Sequence, residues 1–183
     1  MSEIIVVDDD PDWPRQFEAL RAVIARALGD VALAIEHVGS TAVPGLAAKP
    51  IIDLDVVVAP GQVGTAIDRL SAIGYEHKGD LGVAGREAMR HPSGSRRHHL
   101  YVCAEGNLAL ANHLAVRDFL RADAAAARAY GELKRRLAFR FADDVDGYVD
   151  GKTAFILDIL RRRGFAERDL AEIAAINRRP GSL

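Results

Sequence analysis

The stretch Ile35–Val58, IEHVGSTAVPGLAAKPIIDLDVVV, decides how this chain is read. It predicts a strand, a sharp turn and a second strand. In the second strand, Ile51-Ile52-Asp53-Leu54-Asp55-Val56-Val57-Val58, two carboxylates interrupt an otherwise apolar and largely β-branched run. Side chains at i and i+2 of a strand share a face, which places Asp53 and Asp55 side by side, roughly 6–7 Å apart at Cβ. Like charges on one face repel, and burying them unpaired is costly. A positive partner is therefore expected between them, and a hard divalent cation is the simplest one.

The turn offers a complementary chemistry. Gly39-Ser40-Thr41 directly follows the strand VALAIEHV. Glycine at a strand end lets a ligand approach the backbone, and hydroxyls with free N–H groups at a turn suit phosphate oxygens. Twelve residues separate Ser40 from Asp53. A phosphate cradle beside a metal-holding carboxylate pair is what Mg²⁺–nucleotide chemistry requires, because metal and N–H donors share one phosphate chain.

Hydrophobic-Gly-Ser, a twelve-residue gap and Asp-hydrophobic-Asp-hydrophobic resemble the signature of the nucleotidyltransferase superfamily that includes DNA polymerase beta. The longer string HVGSTAVPGLAAKPIIDLDV resembles the hallmark of the GrpB family, which is assigned that fold. Trp13-Pro14, His99-Leu100 before an aromatic, Arg117-Asp118-Phe119-Leu120-Arg121, Tyr130 with Leu133-Lys134, and Tyr148 with Lys152 and Phe155-Ile156 follow the family's order. The resemblance runs from about Val6 to Leu160. It implies an α/β (α+β) nucleotidyltransferase-like mixed sheet over residues 1–105, with a packed helical part over 106–183. It also implies Mg²⁺ (or Mn²⁺) on Asp53 and Asp55, with Gly39, Ser40, Thr41, Lys49 and Arg117 as nucleotide contacts. His99 would serve as metal ligand or general base. The activity implied is nucleotidyl transfer from a nucleoside triphosphate to a small molecule; the alternative is a non-catalytic nucleotide- or phosphometabolite-binding protein.

The chain departs from a full two-metal site in one respect. Active nucleotidyltransferases of this fold usually add a third carboxylate from a later strand, and Arg96–Ala104 carries none. His99 stands where that carboxylate is expected, with Glu87 on the neighbouring predicted strand as the other candidate. Between Arg86 and His99 the chain concentrates Arg86, Glu87, Arg90, His91, Arg96, Arg97, His98 and His99. Alternation puts Leu100 and Val102 on the core side with His98, and turns His99 and Tyr101 toward the cleft.

Several polar residues have two readings each. His37 either touches phosphate or serves as a base, or it only orients the Gly39-Ser40 loop. Lys49 either neutralises phosphate as a point charge or is solvated. Arg117 and Arg121 form either a phosphate clamp or a solvated face paired with Asp118 and Asp123. Lys134-Arg135-Arg136 reads as the wet side of a helix, and Lys152 as a polar flank within reach of the cleft. Asp8-Asp9-Asp10 reads as a turn before a helix start.

Composition bounds the rest. At 183 residues the chain fits one domain, or one domain with a helical appendage. Net charge is −2 and aromatics are 6%, with no recognition-helix signature, so nucleic acid is not expected as a partner. The single cysteine, Cys103, excludes an internal disulfide and a cysteine-based zinc cluster, and fits a reducing compartment. The start lacks a basic and then apolar leader, and no apolar run approaches 18 residues; the expectation is a cytoplasmic protein that does not span a membrane.

Periodicity predicts a short edge strand at Ile4–Val7 and a helix from a cap at Asp12 to Leu28. It predicts a helix over about 61–73 and strands at 75–78, 86–91 and 96–104. From an Asn107 cap, helix is expected with little interruption to about Phe141, then over 148–163 and 169–177, with a tail beyond.

Overall fold

In the computed structural model, residues 4–178 are described; the tail expected after Arg178 lies outside them. Helix α1 (Trp13–Leu28) leads into strand β1 (Ala32–Val38), and β2 (Ile52–Val58) follows the glycine turn. Helix α2 (Val63–Ala72) precedes β3 (Glu76–His77), β4 (Arg86–Arg90) and β5 (His98–Ala104). The chain then runs through α3 (Leu108–Ala122), α4 (Ala124–Arg140), α5 (Val145–Arg162) and α6 (Glu167–Asn177). No helix among the described residues is long and apolar enough to cross a membrane.

The five strands form one mixed sheet in the order β1-β2-β5-β4-β3. β2 and β5 are parallel and every other pairing is antiparallel. Alternation sorts the side chains. Leu54, Val56 and Val58 of β2 and Leu100 and Val102 of β5 turn toward α1 and α2, packing with Trp13, Ile24, Leu28 and Leu70 in the main core. The opposite face carries Asp53, Asp55 and Val57 beside His99, Tyr101 and Cys103. Helix α3 lies over part of that face, where Leu110 meets Val57, Tyr101 and Cys103. The 43–46 turn, with Val43 and Leu46 buried, packs into α3, α4 and α5 rather than into solvent. That packing brings the glycine turn beneath the helical part.

Four expectations are corrected. Ile4–Val7 makes no strand: Val7 forms a single bridge to Ala48, and the Ile4 N–H bonds to the Ala142 carbonyl. The long helix is broken at Asp123, whose extended backbone and carboxylate cap the N–H groups of Ala125 and Ala126. An aspartate able to cap wins over a run of good helix formers, and Asp123 is therefore no partner of Arg121. Asp12 gives no side-chain cap to α1; its carboxylate goes to Arg15 and Gln16. The 75–78 strand shortens to Glu76–His77, while Tyr75 turns inward to hydrogen-bond His98 at 2.8 Å. Asn107, by contrast, caps α3 as expected, accepting from Ala109 and Leu110.

Candidate functional site

The site begins where β1 ends. Gly39 has φ +69°, and a Cβ there would stand 2.9 Å from Asp53 Cγ and closer still to its carboxylate. Only glycine tolerates both the left-handed backbone and that approach. The next residue, Ser40, accepts a 2.6 Å hydrogen bond from Lys134 Nζ. Thr41 is buried and turned away from the cleft: its hydroxyl donates to the Ile51 carbonyl and meets His37 Nε2 at 3.0 Å. The His37 ring stacks on Phe17 at 4.6 Å, and burial lowers its pKa to about 4, so it is neutral at physiological pH. Of its two readings, His37 takes the one of orienting the loop.

Both carboxylates are met by imidazoles. Asp53 Oδ1 lies 2.8 Å from His99 Nδ1, its direct neighbour across the parallel β2–β5 pair. Asp55 is fully buried and its Oδ2 lies 2.7 Å from Nδ1 of His113 on α3, while its Oδ1 has no hydrogen-bond partner among the described residues. Burial disfavours the His113 imidazolium, but the Asp55 charge and hydrogen bond outweigh it and raise the His113 pKa above its ordinary value. His113 had no part in the sequence reading. It sits 58 residues from Asp55 on another element, and nothing in its own helix marks it.

Glu87 does not belong to this site. It pairs in register with Val102, on the sheet face that carries α1 and α2, and its carboxylate meets His77 at 2.7 Å. The position beside Asp53 is held by His99.

Around Asp53 the fold gathers three of the chain's four lysines: Lys49, Lys134 and Lys152. None forms an ion pair with a carboxylate among the described residues. Lys134, expected on a wet helix side, is buried on the packed one. Its ammonium lies 4.8 Å from the Tyr130 ring centre, and Lys152 lies 4.4 Å from that of Tyr148. The signal was in the sequence: Tyr130/Lys134 and Tyr148/Lys152 both place a lysine four residues after a tyrosine, over its ring on a helix. Lys49 reaches the Tyr148 ring from the other side, at 5.9 Å. Burial lowers all three, reinforced by Arg97 at Lys49, by Lys152 at Lys134 and by Lys49 at Lys152, bringing Lys134 to about 7 and Lys152 to about 8, while Asp53 pulls each back up. An unpaired, crowded set of ammoniums is a site prepared for anions.

Arg117 is partly buried beside this cleft, but its Nε is engaged by Asp118 at 2.7 Å and its Nη1 by Glu36 at 2.6 Å and the His37 carbonyl at 3.1 Å. Arg121 donates to the Ala42 carbonyl. Both arginines thereby brace the glycine turn from α3.

A divalent cation fits the carboxylates in a restricted way. Among the described residues no group of three or more His, Cys, Asp or Glu could hold a metal. The protein offers only Asp53 and the unpartnered Asp55 Oδ1. Mg²⁺ keeps waters and is commonly held by one or two carboxylates together with substrate phosphates. The donor set fits a cation that arrives with a polyphosphate better than a resident metal centre.

Comparison with known proteins agrees with this geometry. The fold is nucleotidyltransferase-like: the structure superposes with a TM-score of 0.57 on Cid1, described as having RNA terminal uridylyl transferase activity. That match covers 83% of this chain and 47% of Cid1 at 14% identity, and it speaks for the fold alone. The family described as GrpB protein matches residues 3–162, and the chain belongs to that family. The crystal structure of the conserved protein GrpB from Enterococcus faecalis is 36% identical, with a TM-score of 0.77 over 92% of this chain and 98% of that one. The UPF0157 protein YqkA of Bacillus subtilis is 36% identical over 155 residues, 84% of this chain; the chain spans 45% of that relative's length.

Proposed function

We propose that the cleft binds a nucleoside triphosphate together with Mg²⁺ (or Mn²⁺) and transfers its nucleotidyl group to a small-molecule acceptor. The observation that carries this reading is the lysine triad converging, without carboxylate partners, on the Gly39-Ser40 turn and Asp53. Lys49, Lys134 and Lys152 neutralise the phosphates as point charges, and the backbone at Gly39 and Ser40 abuts them. Asp53 and Asp55 would hold the cation, which would supply further neutralisation of phosphate charge. In the transfer, an acceptor oxygen or nitrogen bonds to the α-phosphorus and the bond to pyrophosphate breaks. The acceptor's proton passes to the Asp53–His99 pair, and the pyrophosphate leaves against the lysines. His113 fixes Asp55 in place through the contact of its Nδ1 with Oδ2.

A second reading, binding without chemistry, is favoured by one observation: β5 contributes His99 and no third carboxylate beside Asp53. Pyrophosphate release on incubation with each nucleoside triphosphate, Mg²⁺ or Mn²⁺ and candidate acceptors separates the two. Release that vanishes in Asp53→Ala supports transfer. Tight metal-dependent binding with no release above background across the acceptor panel leaves the binding reading in its place.

A further inference from the structure

On the same sheet face, beyond Tyr101, a pocket of about 200 Å³ opens between the sheet and helices α3, α5 and α6. Its walls are largely apolar, with Leu108, Val116, Ile156, Ile173 and Ile176 among them. Among the charged side chains at its wall, Arg86, the first residue of β4, is 6% exposed. Its guanidinium lies over the Tyr101 ring, with Cζ 4.2 Å from the centre. Stacking occupies one face of the guanidinium. Nε and Nη2 are both buried and have no hydrogen-bond partner among the described residues. These two nitrogens form one edge of the guanidinium, whose parallel N–H bonds match the two oxygens of a planar oxyanion.

We infer that this pocket is a binding site for a small amphipathic carboxylate, its two oxygens on the Nε–Nη2 edge of Arg86 and its apolar body against α3, α5 and α6. A buried charge without a partner is strongly unfavourable, so a side chain of this kind is expected to be retained for what it binds. The charge count selects carboxylate over phosphate. His113 at the pocket wall is committed to Asp55, and Arg117 to Glu36 and Asp118. One guanidinium remains, which a monoanion balances and a dianionic phosphate ester exceeds in apolar surroundings. Glu172 borders the pocket but is exposed and makes no ion pair with Arg86. Gly39 borders both this pocket and Asp53. A carboxylate held here lies next to the lysine cleft; its role as the acceptor of the proposed transfer rests on that reading, whereas its binding does not.

The test is calorimetric titration of the full chain, without nucleotide or divalent cation, using 3-phenylpropionate, 3-phenylpropionamide and phenyl phosphate as probes. Wild type is expected to bind the carboxylate at least about tenfold more tightly than the amide, the loss a charge-assisted hydrogen bond gives. Arg86→Met should abolish that preference while raising Tm, because it removes the orphaned charge. Arg86→Lys, which keeps the charge and loses the fork, should weaken binding about tenfold or more. Asp53→Ala, which leaves the Asp55–His113 pair intact, should bind the carboxylate as wild type does, so failure here and failure of the nucleotide reading are told apart. Equal binding of acid and amide, no binding of the acid at millimolar concentration, or undiminished binding in Arg86→Met overturns the inference. Tighter binding of phenyl phosphate than of the carboxylate overturns the ligand class.

Discussion

The two faces of one sheet are built on opposite terms. Toward α1 and α2, Leu54, Val56, Leu100 and Val102 are sealed in apolar contact, and burial lowers the pKa of both His37, stacked on Phe17, and His98, held by Tyr75. Toward the helical part, alternate residues of the same strands are Asp53, Asp55, His99 and Tyr101, joined by His113, Arg86 and three lysines from other elements. The first face contributes stability through burial. The second spends some of it on charges that the protein leaves incompletely matched, the pattern expected where a ligand completes the set. A two-residue periodicity thus divides holding from binding within single strands.

The sharpest probe of that division compares one deletion on each face. Leu54→Ala and His113→Ala are each expected to lower stability by about 3 kcal/mol, the first by opening a cavity and the second by stranding the buried Asp55. Their pH dependence should differ. Because the folded-state pKa of His113 is raised, its contribution is complete below its unfolded value near 6.5 and is lost as pH rises through the folded value. Urea unfolding at acid and alkaline pH should show the His113→Ala cost shrinking with pH and the Leu54→Ala cost unchanged.

Next in size, Gly39→Ala should cost about 1–3 kcal/mol, from strain at positive φ and collision with Asp53. It should also displace that carboxylate and abolish metal-dependent nucleotide binding, whereas an alanine at Gly45, where a Cβ meets nothing, should cost only backbone strain. Equal loss of binding in both variants would remove Gly39 from the site.

The smallest shift belongs to the lysines. Lys134→Met should raise Tm by roughly 2–4 °C at pH 7, the change about 1 kcal/mol gives in a chain of this size, while weakening nucleotide binding. Lysine's ordinary value is 10.5 and the folded value of Lys134 is about 7. Between those values the unfolded chain holds more protons, so wild-type stability should rise with pH across that window and the variant's rise should be smaller. An anionic ligand reverses the shift, so binding near pH 8 should take up protons, which titration in buffers of different ionisation enthalpy measures.

Much of this architecture is legible in the sequence because it rests on local rules. The alternation in Ile52–Val58 separates core from site, and the Gly-Ser turn announces a close approach to its backbone, which the structure shows Asp53 to make. What escapes are pairings between distant elements. Neither the Asp55–His113 pair, 58 residues apart, nor the Lys134–Ser40 bond, 94 apart, has a local trace in spacing. Lys134 was misjudged because charge argued for solvent, while its place one turn after Tyr130 argued for the packed face. The break at Asp123 escaped because helix propensity sums over a window and a cap is a single residue. Thr41 and Arg117 show the converse: polar residues beside a phosphate-like turn that the fold engages in bracing it.

The central claim is that the polar face is a metal-assisted nucleotide site. Calorimetric titration of ATP, GTP, CTP and UTP, with and without Mg²⁺ or Mn²⁺, on wild type and Asp53→Ala/Asp55→Ala tests it most directly. The account predicts binding to wild type that requires the metal and is lost in the double variant. Absence of binding for every nucleotide with either metal, or metal-independent binding equal in the two proteins, would contradict it.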